Sequence, residues 1–178
     1  MVRFVLMIWV LASCVGCDQV SKLVAASELK DAGVLSFGGD VFRLAYAENR
    51  GAFLGFGSAW PEPWRWLAFT LLATLVVVAS LGWLVSRMFE QRAGRRFSLA
   101  EWAMALIAAG GLGNLVDRVL RDGHVIDFMN LGVGSLRTGI FNVADVQIMV
   151  GLALLMVAPR PVSKPEPAAV EAPAPRGD

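Results

Sequence analysis

Two aspartates, Asp127 in GHVIDFMN and Asp145 in GIFNVAD, carry the chemistry to which this sequence points first. They stand 18 residues apart, each among apolar neighbours. Two carboxylates brought together in a poorly solvated place cannot both ionise cheaply. They share a proton, and their titrations split. One is then a base that activates water; the other is an acid that protonates a carbonyl and later the leaving amine. This chemistry hydrolyses an amide without a metal or a covalent intermediate, so no cofactor is expected. His124 is the single histidine and has no second His or Cys to join it, which makes a zinc site a poor reading.

Other polar residues stand where apolar ones are the rule, and ionisable or amide groups inside apolar spans are costly enough to mark functional positions. In DQVSK, Asp18 and Lys22 lie one helical turn apart and can partly neutralise each other. In AENRGAF, Glu48, Asn49, Arg50 and Gly51 follow a predicted strand; alone, the stretch reads as a turn. In GGLGNLVDR, Gly110, Gly111 and Gly113 allow close helix approach. Asn114, Asp117 and Arg118 then project to one side of the same helix. Asn142 precedes Asp145 by three residues, the spacing of a helix cap with an acid in the first turn.

These residues must be held by membrane elements. Of 178 residues, 56% are hydrophobic and only 17% charged, with a mean hydropathy of +0.59; soluble domains carry about 25% charge. A net charge of +1 and the lack of a basic stripe with interleaved aromatics argue against a nucleic-acid partner. Four segments approach the roughly 20 apolar residues of a spanning helix: about 2–25, 64–85, 99–116 and the shorter 144–157. The expected fold is therefore mainly α, a polytopic protein of four transmembrane helices with a small β-containing segment on the outer side.

Arg87, Arg92, Arg95 and Arg96 between spans two and three, with Arg3, Arg160 and Lys164 near the ends, place both termini in the cytoplasm by the positive-inside rule. Segments 26–63 and 117–141 then face outward. VLSFGGDVFRLAY reads as two short strands around Gly38-Gly39-Asp40. Trp60, Trp64 and Trp66 suit an interfacial belt. One four-helix membrane domain is expected over 1–158, followed by a disordered Pro/Ala-rich tail over 159–178.

LASC, ending at Cys14, looks like the cleavage box of an exported lipoprotein. The apolar run continues past it to a full membrane width, and three more spans follow. Cys14 is therefore expected to stay within the chain's own first helix. Cys14 and Cys17 form CxxC without the βαβ context of a redox motif and read as small helix residues.

Taken in order between four spans, DQVSK, AENRGAF, GNLVDR, VIDF and FNVAD resemble the bacterial lipoprotein signal peptidase (signal peptidase II) family over about residues 4–158. The resemblance implies an aspartic endopeptidase of the bacterial inner membrane. It would cut prolipoproteins just before a lipobox Cys that already bears diacylglycerol, at a site near the periplasmic face. It makes Asp127 and Asp145 the catalytic pair. Asp18, Asn49, Asn114, Arg118 and Asn142 match the family's other polar positions, with Lys22, Gly51 and Asp117 beside them as site support, and a small outer sheet is expected to cradle the site. The sequence departs from the family in having Ala52-Phe53 after the Gly of the second motif, and in a loop from Arg118 to Asp127 one residue longer than in some members.

Besides the substrate, the expected partner is membrane lipid, with the chain acting as a monomer. The competing reading is a proton-coupled transporter relaying through Asp18, Asp117, Asp127 and Asp145. Such relays lie near the bilayer midplane, whereas these acids gather towards one end of the spans.

Overall fold

The computed structural model describes residues 2–51, 60–90 and 96–159. The elements run α1 (Val2–Glu28), β1 (Leu35–Phe37), β2 (Phe42–Asn49), α2 (Glu62–Glu90), α3 (Leu99–Leu120), β3 (Val125–Val133), β4 (Leu136–Arg137) and α4 (Val143–Val157). Helices α1, α2 and α3 are each long and apolar enough to cross a bilayer. Helix α4 has 15 residues, about 22 Å at 1.5 Å per residue, against a hydrocarbon core of about 30 Å. It starts late because residues 137–141 are committed to the sheet side, and Asn142 caps the helix with its side chain on the Asp145 N–H.

Helix α3 is the central post, in contact with α1, α2 and α4. Its buried face is built from small residues, among them Ala103, Ala105, Ala108, Ala109, Gly110, Gly111 and Gly113. That face lets backbones approach where hydrophobic contrast with lipid is absent. A Cβ built on Gly151 of α4 would meet the Ala103 carbonyl oxygen at 2.7 Å. Large apolar side chains point outward instead: Trp9, Leu23, Leu72, Val78 and Met156 are all exposed. Arg3 closes the opposite end, pairing at 2.8 Å with the buried Glu101 beside the Ser98 capping box.

Two strands were expected on the outer side; the chain forms a four-stranded antiparallel sheet in the order β1-β2-β3-β4. The expected hairpin is there, with Leu35 opposite Leu44 and Phe37 opposite Phe42. Its turn uses left-handed backbone at Gly38, Gly39 and Asp40, which glycine adopts without strain. The added strands come from the segment taken as an outer loop. Helix α3 runs on to Leu120, and β3 then pairs with β2 in the register Asn49–Val125 and Ala47–Asp127. Asp127 thus lies in a central strand rather than a loop. Val125 to Phe128 are all buried, so the stretch lacks the polar–apolar alternation that announces a half-exposed strand. Ile126 and Phe128 pack with Ala25 and Leu29 at the C-terminal end of α1. Arg92, Arg95, Ala52, Phe53, Arg160, Lys164 and nearly all of the expected tail lie outside the described residues.

Candidate active site

Asp127 and Asp145 reach one site from two elements, β3 and the first turn of α4. Asn142 joins them. Its Nδ2 donates to Asp127 Oδ1 at 2.6 Å, its backbone N–H donates to Asp145 Oδ2 at 3.2 Å, and its Oδ1 accepts from the Asp145 N–H at 2.9 Å. Each carboxylate has a second amide of its own. Asn49, at the end of β2, donates to Asp127 Oδ2 at 2.9 Å, and Asn114 of α3 donates to Asp145 Oδ1 at 2.9 Å. The Gly51 N–H bonds Asn49 Oδ1 at 2.9 Å, which fixes which end of that amide faces Asp127.

Behind this layer lies a fully buried charge cluster. Lys22 Nζ sits 2.8 Å from Asp18 Oδ2, 3.1 Å from Asp117 Oδ2 and 2.9 Å from Asn114 Oδ1. The last contact directs the Asn114 amide N–H groups at Asp145. Asp18 Oδ1 accepts the Ala144 N–H at 2.8 Å, and Asp117 Oδ2 accepts the Ile126 N–H at 3.1 Å. One anion therefore holds the residue before Asp145, and the other holds the residue before Asp127. A lysine between two carboxylates and an amide has all its donors engaged, the condition under which buried charge is tolerable.

The two aspartates line one cavity of about 520 Å³ with Asn49, Gly51, Asn114 and Arg118. The remaining walls are Val125 and Leu131 of β3, residues 138–141, and Val146, Met149 and Val150 of α4. The lining is mostly apolar with a few convergent polar groups, as ligand sites are. Burial, then the nearby charge of Asp145, pushes the Asp127 carboxyl up to about 7 against the pull of its Asn49 and Asn142 bonds. A carboxyl whose proton affinity is raised towards neutrality suits a group that must both give and take a proton. Among the described residues no cluster of three or more His, Cys, Asp and Glu side chains is arranged to hold a metal ion.

Asp18, Lys22, Asn49, Asn114, Asp117 and Asn142, each a candidate by sequence, thus form one hydrogen-bonded network around Asp127 and Asp145. Gly51 and Arg118 lie on the cavity wall. Arg118 bonds carbonyl oxygens, of Asn114 at 3.3 Å and of Gly51 at 3.5 Å, while Asp117 is the residue that grips the start of β3. Glu48 and Arg50 turn away: Glu48 accepts from Tyr46 and Arg50 pairs with the exposed Glu62. Gln19 was not singled out from the sequence, yet its Nε2 donates to Asp18, Asp117 and the Gly113 carbonyl. Its place inside DQVSK was the available signal. Residues 138–140 offered none, being Thr, Gly and Ile.

The sequence pattern of Signal peptidase (SPase) II matches residues 10–159. A protein of Azoarcus sp. (strain BH72) named lipoprotein signal peptidase is 36% identical over 161 residues, 89% of this chain and 84% of its own length. One of the same name from Clostridioides difficile (strain 630) is 34% identical over 152 residues, 85% of this chain and 93% of its own. A solved structure of a bacterial membrane enzyme superposes with a TM-score of 0.68 at 25% identity, covering 85% of each chain. A second such structure gives 0.66 at 23% identity, covering 85% of this chain and 90% of its own.

Proposed function

The chain belongs to the signal peptidase II family, a membrane-embedded aspartic-type peptidase that removes signal peptides from lipoprotein precursors, and on that premise we propose that Asp127 and Asp145 are its catalytic pair. The observation that carries this assignment is the joint attachment of both carboxylates to Asn142 at the wall of one cavity. Asp127, with its raised affinity for a proton, holds the shared proton and hydrogen-bonds the scissile carbonyl. Ionised Asp145 takes a proton from the attacking water. The carbonyl oxygen of the tetrahedral intermediate carries the proton from Asp127; as the C–N bond breaks, Asp145 passes its own proton to the leaving nitrogen and Asp127 takes back the hydroxyl proton, so that the carbonyl re-forms and the pair returns to its starting state. Arg118 offsets negative charge at the cavity wall.

The substrate is a diacylglyceryl-modified precursor cut just before the modified Cys. The apolar wall of Val146, Met149 and Val150 faces the cavity from a membrane helix and suits a greasy substrate, while the polar end admits water. The protein sits in the inner membrane with both termini cytoplasmic and the sheet in the periplasm, acting as a monomer among lipids. Asp31→Cys, in a background without Cys14 and Cys17, reacts with an impermeant thiol reagent from the periplasmic side; labelling only after the membrane is opened reverses this orientation.

The dyad is tested on a diacylglyceryl-modified lipobox peptide. Asp127→Asn and Asp145→Asn are near-isosteric, and each loses about 10²–10⁴-fold in rate, the worth of a general acid–base group. The double variant is little worse than either single one, because residues that act as a unit are not additive. A folded single variant that keeps more than about a tenth of the rate rules the pair out.

A further inference from the structure

Residues 138–140 leave the sheet after the short strand β4 and form one wall of the cavity. Two of the side chains that hold this strap, Asn130 and Arg137, lie outside the cavity lining. Asn130, on β3, donates through Nδ2 to the Thr138 carbonyl at 2.6 Å, with longer contacts to Thr138 Oγ1 and the Gly139 carbonyl at 3.4 Å. Thr138 Oγ1 also accepts the Leu131 N–H at 3.0 Å. Asn130 is buried and its amide is oriented in turn: Arg137 Nε donates to Asn130 Oδ1 at 2.5 Å. The same guanidinium reaches back across the sheet, from Nη1 to the Asp40 carbonyl at 2.7 Å and to Asp40 Oδ2 at 3.4 Å. Asp40 is pinned in the β1–β2 turn by Ser36 and Arg43. Gly132 makes room for the Arg137 stem, since a Cβ there would meet Arg137 Cγ at 2.5 Å.

We propose that the chain Asp40–Arg137–Asn130 is a positioning device that sets the strap against the substrate, so that Arg137 governs substrate binding without touching the reacting groups. The proposal rests on reading the cavity as the substrate site. The far end of the strap is anchored independently. The Phe141 carbonyl accepts from the Phe128 and Met129 N–H groups at 3.0 and 2.8 Å, and the Phe141 N–H returns to the Met129 carbonyl at 2.8 Å. Asn142, and through it both aspartates, therefore stays in place when residues 138–140 loosen. A guanidinium suits this post because its fork spans two acceptors at once, which an ammonium does not.

The test is steady-state cleavage of a diacylglyceryl-modified lipobox peptide by the full chain in detergent. Arg137→Ala raises KM about tenfold, the scale of one or two lost hydrogen bonds, with kcat little changed. Asn130→Asp keeps the acceptor for Arg137 but removes the donors to the strap, and raises KM likewise. Arg137→Lys keeps one of the two contacts and gives an intermediate KM; with Asn130→Asp it carries the test if the alanine variant does not fold. An unchanged KM, or a fall in kcat at constant KM as from a smaller folded fraction, overturns the proposal. Asp127→Asn, assayed alongside, separates the two ideas: full activity there strikes the catalytic assignment and leaves the KM comparison standing.

Discussion

Asn142 Nδ2 donates to Asp127 Oδ1 at 2.6 Å from the very residue that caps α4. The helix that carries one carboxylate is thereby started by a side chain bonded to the other. Asn142→Ala removes the cap and the link together. Loss of an N-cap costs about 1 kcal/mol, and the buried acceptors left by Nδ2 on Asn114, Ile126 and Asp127 add about 1–3 kcal/mol, so the thermal midpoint falls clearly. Activity falls far more than that midpoint suggests, because Asp127 loses a partner and Asp145 loses its fixed first turn. Thermal scans and rates measured on the same preparation compare the two losses; a rate that tracks stability alone contradicts the linking role.

The raised Asp127 carboxyl makes both rate and stability depend on pH. The folded protein keeps, up to about 7, a proton that an unfolded aspartate releases near its ordinary value of 3.8. Between those values the folded state binds more protons, so its stability declines as pH rises and levels off above about 7. Asp127→Asn has no proton to lose there. Its thermal midpoint gains on the wild type as pH is taken upward through this window. The wild-type rate falls on the alkaline side as the shared proton leaves, and the profile is a bell whose limbs belong to the pair. A rate flat through neutrality counts against a shared proton.

Lys22 balances two buried anions and holds Asn114. Lys22→Met leaves Asp18 without a cation and Asp117 with only the 3.5 Å contact to Arg121, and stranding a buried charge in this way costs about 3–5 kcal/mol. Little folded protein is then recovered. Combining it with Asp18→Asn and Asp117→Asn removes the stranded charge and restores part of the yield, though not the rate, since Asn114 Oδ1 loses the ammonium and keeps only its bond from Asn142 Nδ2 at 3.1 Å. Monodisperse protein recovered in detergent measures the effect; a single Lys22→Met variant of normal yield would show that the cluster is hydrated.

Two glycines on facing helices give a contrast. A Cβ on Gly113 would stand 2.5 Å from Asp18 Oδ2, whereas one on Gly16 meets nothing within 4 Å. Gly113→Ala pushes Asp18 away from the Ala144 N–H and lowers activity sharply. Gly16→Ala, equally conservative by composition, leaves activity and thermal midpoint near wild type. Equal effects from both would mean that helix propensity, not the approach of α1 to α3, decides the outcome.

The sequence by itself determined the elements whose causes are local. Apolar runs of membrane length became helices, Gly38-Gly39-Asp40 turned a hairpin, and Asn142 three residues before Asp145 capped a helix. It also singled out Asp18, Lys22, Asn114 and Asp117, because a charged or amide side chain in an apolar helix is conspicuous whatever surrounds it. What it could not settle was which of them meet and on which side. Asp117 and Asp127 look alike in sequence, each an acid that follows two apolar residues. The first is sealed against Lys22 while the second faces the cavity. Glu48 and Arg50 flank Asn49 in one motif, yet they point away from the site while Asn49 bonds Asp127. The first half of strand β3 is invisible to period-two alternation because both its faces are covered over Val125 to Phe128, and its partner β2 lies two helices earlier in the chain. Arg137 meets Asp40 across a sheet that only the packing of that chain on α1 and α3 creates. Local rules act over a turn of helix or a pair of residues. Contacts between residues a hundred positions apart depend on how whole surfaces fit, and that fit is decided in the folded protein.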